Sequence, residues 1–587
     1  MKRFAVLLTT CLVIAGLADG NPTQKSISVP LRFDEYYTYE EVVSALQALH
    51  KAFPEKTRLE EVGRSEEDRA IYALVIHNPK TGAELEKPGI YVDANIHGNE
   101  IQGGEVSLYL ADFLLHQYPL NEEIKKLVDR VVFYVIPVVN VDGRFHFFAD
   151  PNTPSSSRGL RRPKDDDMDG LVDEDFPDDL DGDGNICQMR KKDPFGEYKT
   201  DPKDPRLMVR VQPGEKGEWT VLGQEGIDND GDGRINEDSE GYVDPNRNWG
   251  FDWAPPYVQR GAGDYPFSGT GLKGLAEWTL KHPNICLAYS FHNSGGMYLR
   301  GPARKELGEY PRADIAVYDY LGERTERMIP AYRYLIGWKD LYSTYGDSIE
   351  WMAQCMGTYA YCAELSASEE ESYKTREEER VSRPEQGEGR SSRGNSSRTL
   401  ERLRFNDDLL QGELYKPWKS FQHPTFGEIE IGGWVKFSSR LPAPFMIKDL
   451  VHRNAAAVIF GAKQTPDVEL EVFEVKKVQK DLYRIRTRLT NSTAMPTMTG
   501  LARKVKLYPQ DTLSVTGASA MVVAGGTLTD VYTDRVSYKE HKPGVQFLIV
   551  PGFGKIEHQF LVSGKGEITV SYASRHAGKR EKTLQLR

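Results

Sequence analysis

The chain has 587 residues, 39% of them hydrophobic and 10% aromatic, too many for one ordinary core and apolar enough for two or three packed domains. A net charge of −12 argues against a nucleic-acid binder. No run of 18 apolar residues follows the first twenty, so the mature chain is expected to lack a membrane span.

Residues 1–20 read as a secretory signal: MKR is the positive start, FAVLLTTCLVIAGLA the apolar stretch, and Ala18 and Gly20 offer small residues for cleavage. A secreted or periplasmic location follows as an expectation. Four cysteines remain beyond it, Cys187, Cys286, Cys355 and Cys362. That is too few for a disulfide scaffold, and one pair or buried thiols both stand. YEEVVSALQALHKAF (39–53) has helical spacing, IYALVIHN (71–78) and GIYVDANI (89–96) read as strands, and GGEVSLYLADFLLHQY (103–118) as an amphipathic helix. His116 on that helix reads as packing or surface. VVFYVIPVVN (131–140) is an apolar strand ending at Val141-Asp142-Gly143, and ICLAYSFH (285–292) and TYAYCAEL (358–365) are two more. Strands alternating with helices and carrying continuous apolar runs predict an α/β fold, its sheet covered by helices on both faces. Ligands of such folds gather at the carboxyl ends of strands, where His97, His292 and Glu364 lie.

Beyond Leu365 the composition turns polar, and 366–400 reads as a charged low-complexity segment. Order resumes near Leu403, through PWKSFQHPTFGEIEIGGW (417–434) and a helix around 445–460. The catalytic domain is expected over 31–463. From 466 to 587 the pattern is all β. Tyr483, Ile485, Thr487 and Leu489 alternate with Arg484, Arg486 and Arg488, and Ile568, Val570 and Tyr572 alternate likewise, which predicts an antiparallel β-sandwich.

An acidic insert, 165–240, carries one pattern three times. Asp165, Asp167 and Asp169 precede Gly170; Asp179, Asp181 and Asp183 precede Gly184; Asp228, Asp230 and Asp232 precede Gly233. Alternate carboxylates before a turn glycine can wrap a hard cation, so structural calcium is expected. The loops are not full EF-hands: Phe176 and Ser239 stand where the first and third would need a closing Glu, and Cys187 is ninth in the middle loop. The insert is expected to fix the rim of an active site.

DANIHGNE (93–100) places His97 and Glu100 at the mouth of an apolar strand. A carboxylate beside an imidazole there is costly unless neutralised, and a divalent metal does so. The eight residues alone favour a surface loop, because a lone H-x-x-E is a weak motif.

The order and spacing over residues 35–435, inserts aside, resemble the zinc carboxypeptidase family, in a bacterial secreted type. The resemblance implies a carboxypeptidase-like mixed sheet and one catalytic zinc held by His97, Glu100 and His292, with a fourth position for water. It implies that Glu364, in AYCAELS, is the general base. In VDPNRNWGF (243–251) it assigns Asn246 and Arg247 to the substrate's terminal carboxylate, which a guanidinium binds through paired hydrogen bonds. In LYSTYGDSIEW (341–351) it assigns Tyr342 to the mobile capping tyrosine, with Tyr345 the alternative, and Ile349 to the floor of the specificity pocket. Arg158, or else Arg161, is the cation for the oxyanion. The family's arginine inside H-x-x-E is replaced by Asn99. The implied activity is hydrolysis of the C-terminal peptide bond of a substrate with a free carboxylate. A zinc amidase or deacylase on a non-peptide or cell-wall amide, and a catalytically silent binding protein, are the alternatives.

Overall fold

A computed structural model describes residues 29, 31–165, 168, 170–238, 242–366 and 392–587, with side chains from 399 in the last stretch. The expectations for the leader, for Asp167 and Asp169, and for most of the charged segment lie outside these residues.

Eight strands form the central sheet: β1 (Thr57–Arg64), β2 (Ala70–Ile76), β3 (Gly89–Ala94), β4 (Val132–Ile136), β5 (Ile285–Asn293), β6 (Met297–Arg300), β7 (Arg333–Ile336) and β8 (Tyr359–Leu365). Their order is β1-β2-β4-β3-β5-β8-β6-β7. The centre, β4-β3-β5-β8, is parallel, as is the β6–β7 edge pair; β1–β2, β2–β4 and β8–β6 are antiparallel. The sheet is therefore mixed, as the resemblance implied. Every residue of β3, β4 and β5 is buried, which explains their unbroken apolar runs. Alternate residues of β5 reach opposite faces. On one face Phe291 meets Gly103 of helix Gln102–Gln117, and Tyr289 meets Gly461 of helix Ile447–Lys463. A Cβ at Gly103 would lie 2.7 Å from Phe291 Cβ, so glycine sets how closely that helix lies. On the other face Tyr134 packs edge-on against Trp278 of helix Thr270–Leu280.

The acidic insert is not only loops. Its strands Gln188–Lys192, Tyr198–Asp201, Asp204–Arg210 and Trp219–Gln224 join Tyr415–His423 and Gly427–Trp434 in a six-stranded antiparallel sheet. Segment 417–434 thus completes the insert, not the central sheet. Arg190 fastens the two parts. Its guanidinium lies 3.9 Å from the Trp219 ring and 4.0 Å from that of Trp418, and it pairs with Glu430 at 2.6 Å.

Beyond residue 466 a five-stranded and a four-stranded antiparallel sheet share one core. Tyr483, Ile485, Thr487 and Leu489 are buried, as the alternation predicted, together with Ile568, Val570 and Tyr572. The arginine face is paired: Arg484 with Glu474, Arg486 with Asp534, Arg488 with Glu557. This unit docks on the catalytic one through Arg575, which donates to the Pro283 carbonyl at 2.6 Å, and Asp314, which accepts from the amides of Gly500 and Leu501 at 2.7 Å each. All four described cysteines are free. Among the described residues no helix is long and apolar enough to cross a membrane. His116 pairs with Asp112 and packs on Phe53, away from any ligand role.

Three buried histidines carry a pH prediction. Burial pushes His77 and His558 down to about 4 and His576 down to about 3, and each has one ring nitrogen without a partner. Below pH 6.5 the unfolded chain takes up protons that these folded imidazoles refuse. Stability is thus fully present above pH 6.5 and declines as pH falls toward 4, by about 1.4 kcal/mol per unit for each ring. The melting temperature should fall over that window, and His558→Gln should flatten the fall. An unchanged slope in the variant would remove His558 from the account.

Candidate metal centre and active site

The site is assembled from the carboxyl ends of β3, β5 and β8. Register does much of the work: Ala94 pairs with Phe291, and His292 pairs with Glu364. The loop after β3 is sharply formed. Asn95 takes a left-handed φ of 54° and donates from its side chain to the carbonyls of His97 (2.6 Å) and Gly98 (3.0 Å). Gly98 passes so close to the loop bearing Arg158 that a Cβ would lie 2.1 Å from the Ser157 carbonyl. Buried beneath, Arg144 pairs with Glu105 at 2.7 Å and donates to Asn95 Oδ1 and the Ile101 carbonyl, locking both ends of the His97–Glu100 turn. Asn140, at the turn after β4, donates to the carbonyls of Arg158 and Gly159.

His97, Glu100 and His292 are buried, each 3% exposed or less, and their donor atoms converge. Nδ1 of His97 lies 2.9 Å from Glu100 Oε1, Nδ1 of His292 lies 3.0 Å from Glu100 Oε2, and the two Nδ1 atoms are 3.3 Å apart. Tetrahedral zinc with ligands at about 2.0–2.1 Å spaces them about 3.3 Å apart, so two imidazoles and one carboxylate fit that ion. Each imidazole is held from behind. His97 Nε2 lies 3.0 Å from both Asp244 Oδ1 and Arg158 Nη2; with Nδ1 turned to a metal, Nε2 carries the hydrogen and donates to Asp244. His292 Nε2 lies 3.3 Å from the Ser290 hydroxyl, which bonds the buried Asp93, and 3.4 Å from the Asn246 amide.

Sequence reasoning passed over Asp244, although it stands two residues before Asn246. Burial opposes its charge, but His97, Arg247 and Arg158 around it hold it well below the usual carboxylate range. Asp244→Asn removes the charge that orients His97 and should weaken zinc about 10–100-fold, read by titration against a competing chelator. Unchanged zinc affinity would deny Asp244 this role.

The other predicted residues line a cavity of about 70 Å³ beside these donors: Arg158, Asn246, Arg247, Tyr342, Ile349 and Glu364. Glu364 is pushed up to about 7 by burial and by the charge of Glu100. A dication at the donors opposes the second cause. Arg247 is buried and donates to the Asn246 carbonyl at 2.7 Å; it forms no ion pair with any described carboxylate. Asn246 also accepts from the Ser348 amide at 2.9 Å, tying it to the short helix Ser348–Trp351 that carries Ile349. Arg158 reaches Glu100 at 2.8 Å and Asp244 at 3.3 Å, whereas Arg161 turns away to Glu67. Tyr342 is 53% exposed at the rim, and Tyr345 lies against Arg304, so the geometry favours Tyr342. Leu299, Cys362 and Ile349 give the cavity an apolar patch, and Arg300 and Asp347 also line it. Asn99 donates to the Pro154 carbonyl, so it does not replace the missing arginine in the cavity.

A larger cavity of about 530 Å³ continues past Arg158, Asp244 and Arg247. Pro177, Gln224, Asn236 and Asp238 of the insert wall its far side.

Comparison with known proteins places the chain in a family. The zinc carboxypeptidase family profile (peptidase M14) matches residues 42–197 and 222–386, more than half of the chain, and a domain of unknown function (DUF8731) matches 467–585. Human carboxypeptidase D is 34% identical over 143 residues, 24% of this chain and 10% of that protein. The rat carboxypeptidase N catalytic chain is 34% identical over 116 residues, 19% of this chain and 25% of that one. The chain thus matches a quarter or less of the length of these relatives. The crystal structure of carboxypeptidase A from Helicoverpa armigera covers 57% of this chain and 66% of its own at 20% identity, with a TM-score of 0.39. With the matched profile spanning the strands and loops that supply His97, Glu100, His292 and Glu364, the chain belongs to the zinc carboxypeptidase (M14) family of metallopeptidases.

Proposed function

We propose that this protein is an exported metallocarboxypeptidase that removes C-terminal residues from peptides, with Glu364 as the general base. One observation carries the reading. A buried guanidinium with no ion-pair partner among the described residues, Arg247, opens into the same cavity as the zinc donors and Glu364. A substrate carboxylate is the group that such a guanidinium binds. When bound, zinc lowers the pKa of a coordinated water and polarises a carbonyl. Asn246 and Arg247 hold the terminal carboxylate. Glu364 accepts a proton from the attacking water and returns it to the leaving amine. Arg158 supplies positive charge to the developing oxyanion. Tyr342, exposed at the rim, closes over the bound end. The apolar patch of Leu299, Cys362 and Ile349 supports a preference for aliphatic or aromatic C-terminal residues. Calcium in the acidic insert is a structural ion. Export rests on the first twenty residues of the sequence.

The test is a peptide library offered with free and with amidated C-termini, read by mass spectrometry. Single C-terminal losses from the free ends alone are the expected result. Equal cleavage of amidated peptides would point to the amidase alternative, and no cleavage with zinc bound would point to a silent binding protein.

A further inference from the structure

We propose that Asp179, Asp181, Asp183 and Glu225 form a calcium site in which Glu225 supplies, from the end of a neighbouring strand, the carboxylate that the loop itself lacks. The inference rests on the calcium reading of the acidic repeat and is independent of the peptidase activity.

In a loop of this pattern the closing carboxylate is expected at the twelfth position. Counting from Asp179, that residue is Arg190, already committed to Glu430 and two tryptophan rings. The loop is therefore open on one side. Its first three carboxylates offer oxygens that all lie within 4.8 Å of one another. Glu225 directly follows the strand Trp219–Gln224, which pairs with the strand that leaves the loop. It is fully buried. One of its oxygens accepts from the Cys187 amide, at the ninth position of the loop, at 2.9 Å; the other, Oε2, has no partner. Burial, with the charges of Asp181, Asp179 and Asp183 beside it, pushes Glu225 up to about 8. A buried carboxylate oxygen left without a partner is costly. Glu225 is not among the residues whose oxygens lie within 4.8 Å of one another, so its carboxylate must move toward the three aspartates, and a dication between them removes that cost.

Lysines also approach. Lys416 Nζ is 3.1 Å from Asp183 Oδ2, and Lys419 Nζ is 3.9 Å from Asp181 Oδ2. Both approach carboxylates of the proposed site and must yield those oxygens to the ion; neither pairs with Glu225. The Cys187 thiol is pushed up to about 12, chiefly by burial, and stays protonated. The donors are thus all oxygens, the set that calcium takes with six to eight ligands.

The ion would join two segments that wall the larger cavity: Pro177 is two residues before Asp179, and Gln224 immediately precedes Glu225. The experiment uses the full chain, zinc-loaded and depleted of calcium. Melting temperature and calorimetric titration with calcium chloride are compared between wild type and Glu225→Gln. Without calcium the variant should melt at or near the wild type, because Gln keeps the oxygen that accepts from the Cys187 amide. With millimolar calcium it should melt below, and its titration should lose one site or weaken it at least tenfold. Absence of any calcium response in the wild type would overturn the calcium reading itself. A response kept in full by the variant would assign the ion to the Asp228 loop and overturn the role of Glu225. Equal destabilisation with and without calcium would reduce Glu225 to a hydrogen-bond acceptor for Cys187 and overturn it too.

Discussion

Glu364→Gln should keep zinc and fold and lose roughly a thousandfold in kcat. The substitution preserves shape, so β8 and its pairing with β5 are undisturbed. What it removes is the capacity to take a proton beside the zinc donors, and positioned general bases contribute about 10²–10⁴ to rate. The loss should fall on kcat, with KM nearly unchanged, because Asn246 and Arg247 still hold the substrate's end. Zinc content, measured on the same preparation, should equal that of the wild type. Turnover within a few fold of wild type would remove Glu364 from the proposed chemistry.

Stripping zinc should abolish hydrolysis and lower the melting temperature, both reversibly. The reason is the density of donors. Two imidazoles and Glu100 meet at 2.9 to 3.3 Å, with Asp93 and Asp244 behind them. A ligand that binds only the folded chain stabilises it by about 4 kcal/mol at a thousand times its dissociation constant. Dialysis against 1,10-phenanthroline, which takes zinc and leaves calcium, followed by zinc return, reads both effects. His292→Ala should reproduce the stripped state and resist rescue. Activity that persists in metal-free protein would end the zinc account.

Much of this site was legible because its groups stand where apolar strands stop. His97, His292 and Glu364 each follow or end a run whose burial the sequence announces, and position in an α/β sheet then predicts convergence. Asp244 and Glu225 were not legible for the opposite reason. Each acts on a partner distant in the chain, His97 and the Asp179 loop, and neither carries a local pattern. The six-stranded sheet was missed because its strands are short and polar. QMRKK and YKTD have neither an apolar run nor a clean alternation; the first is flanked by Gly427–Trp434, far along the chain, and the second by Asp204–Arg210 and Trp219–Gln224. The β-sandwich was readable since half of each strand faces a core and period two survives. The helix around 445–460 was found, at Ile447–Lys463, but its place against the catalytic sheet was not, since it follows a long polar stretch.

That last helix, with the strands before it, bears on how the chain can be shortened. Residues 415–463 come after the charged segment, yet they hold the insert through Arg190 and cap the aromatic face of β5. The catalytic body is therefore stitched from two stretches of chain, like a clasp whose second half arrives late. A polypeptide stopped near residue 390 would keep all the zinc donors and still expose Tyr289 to water. A cut within 367–391 would leave both pieces clasped together, so cleavage there and truncation there are opposite events for this fold.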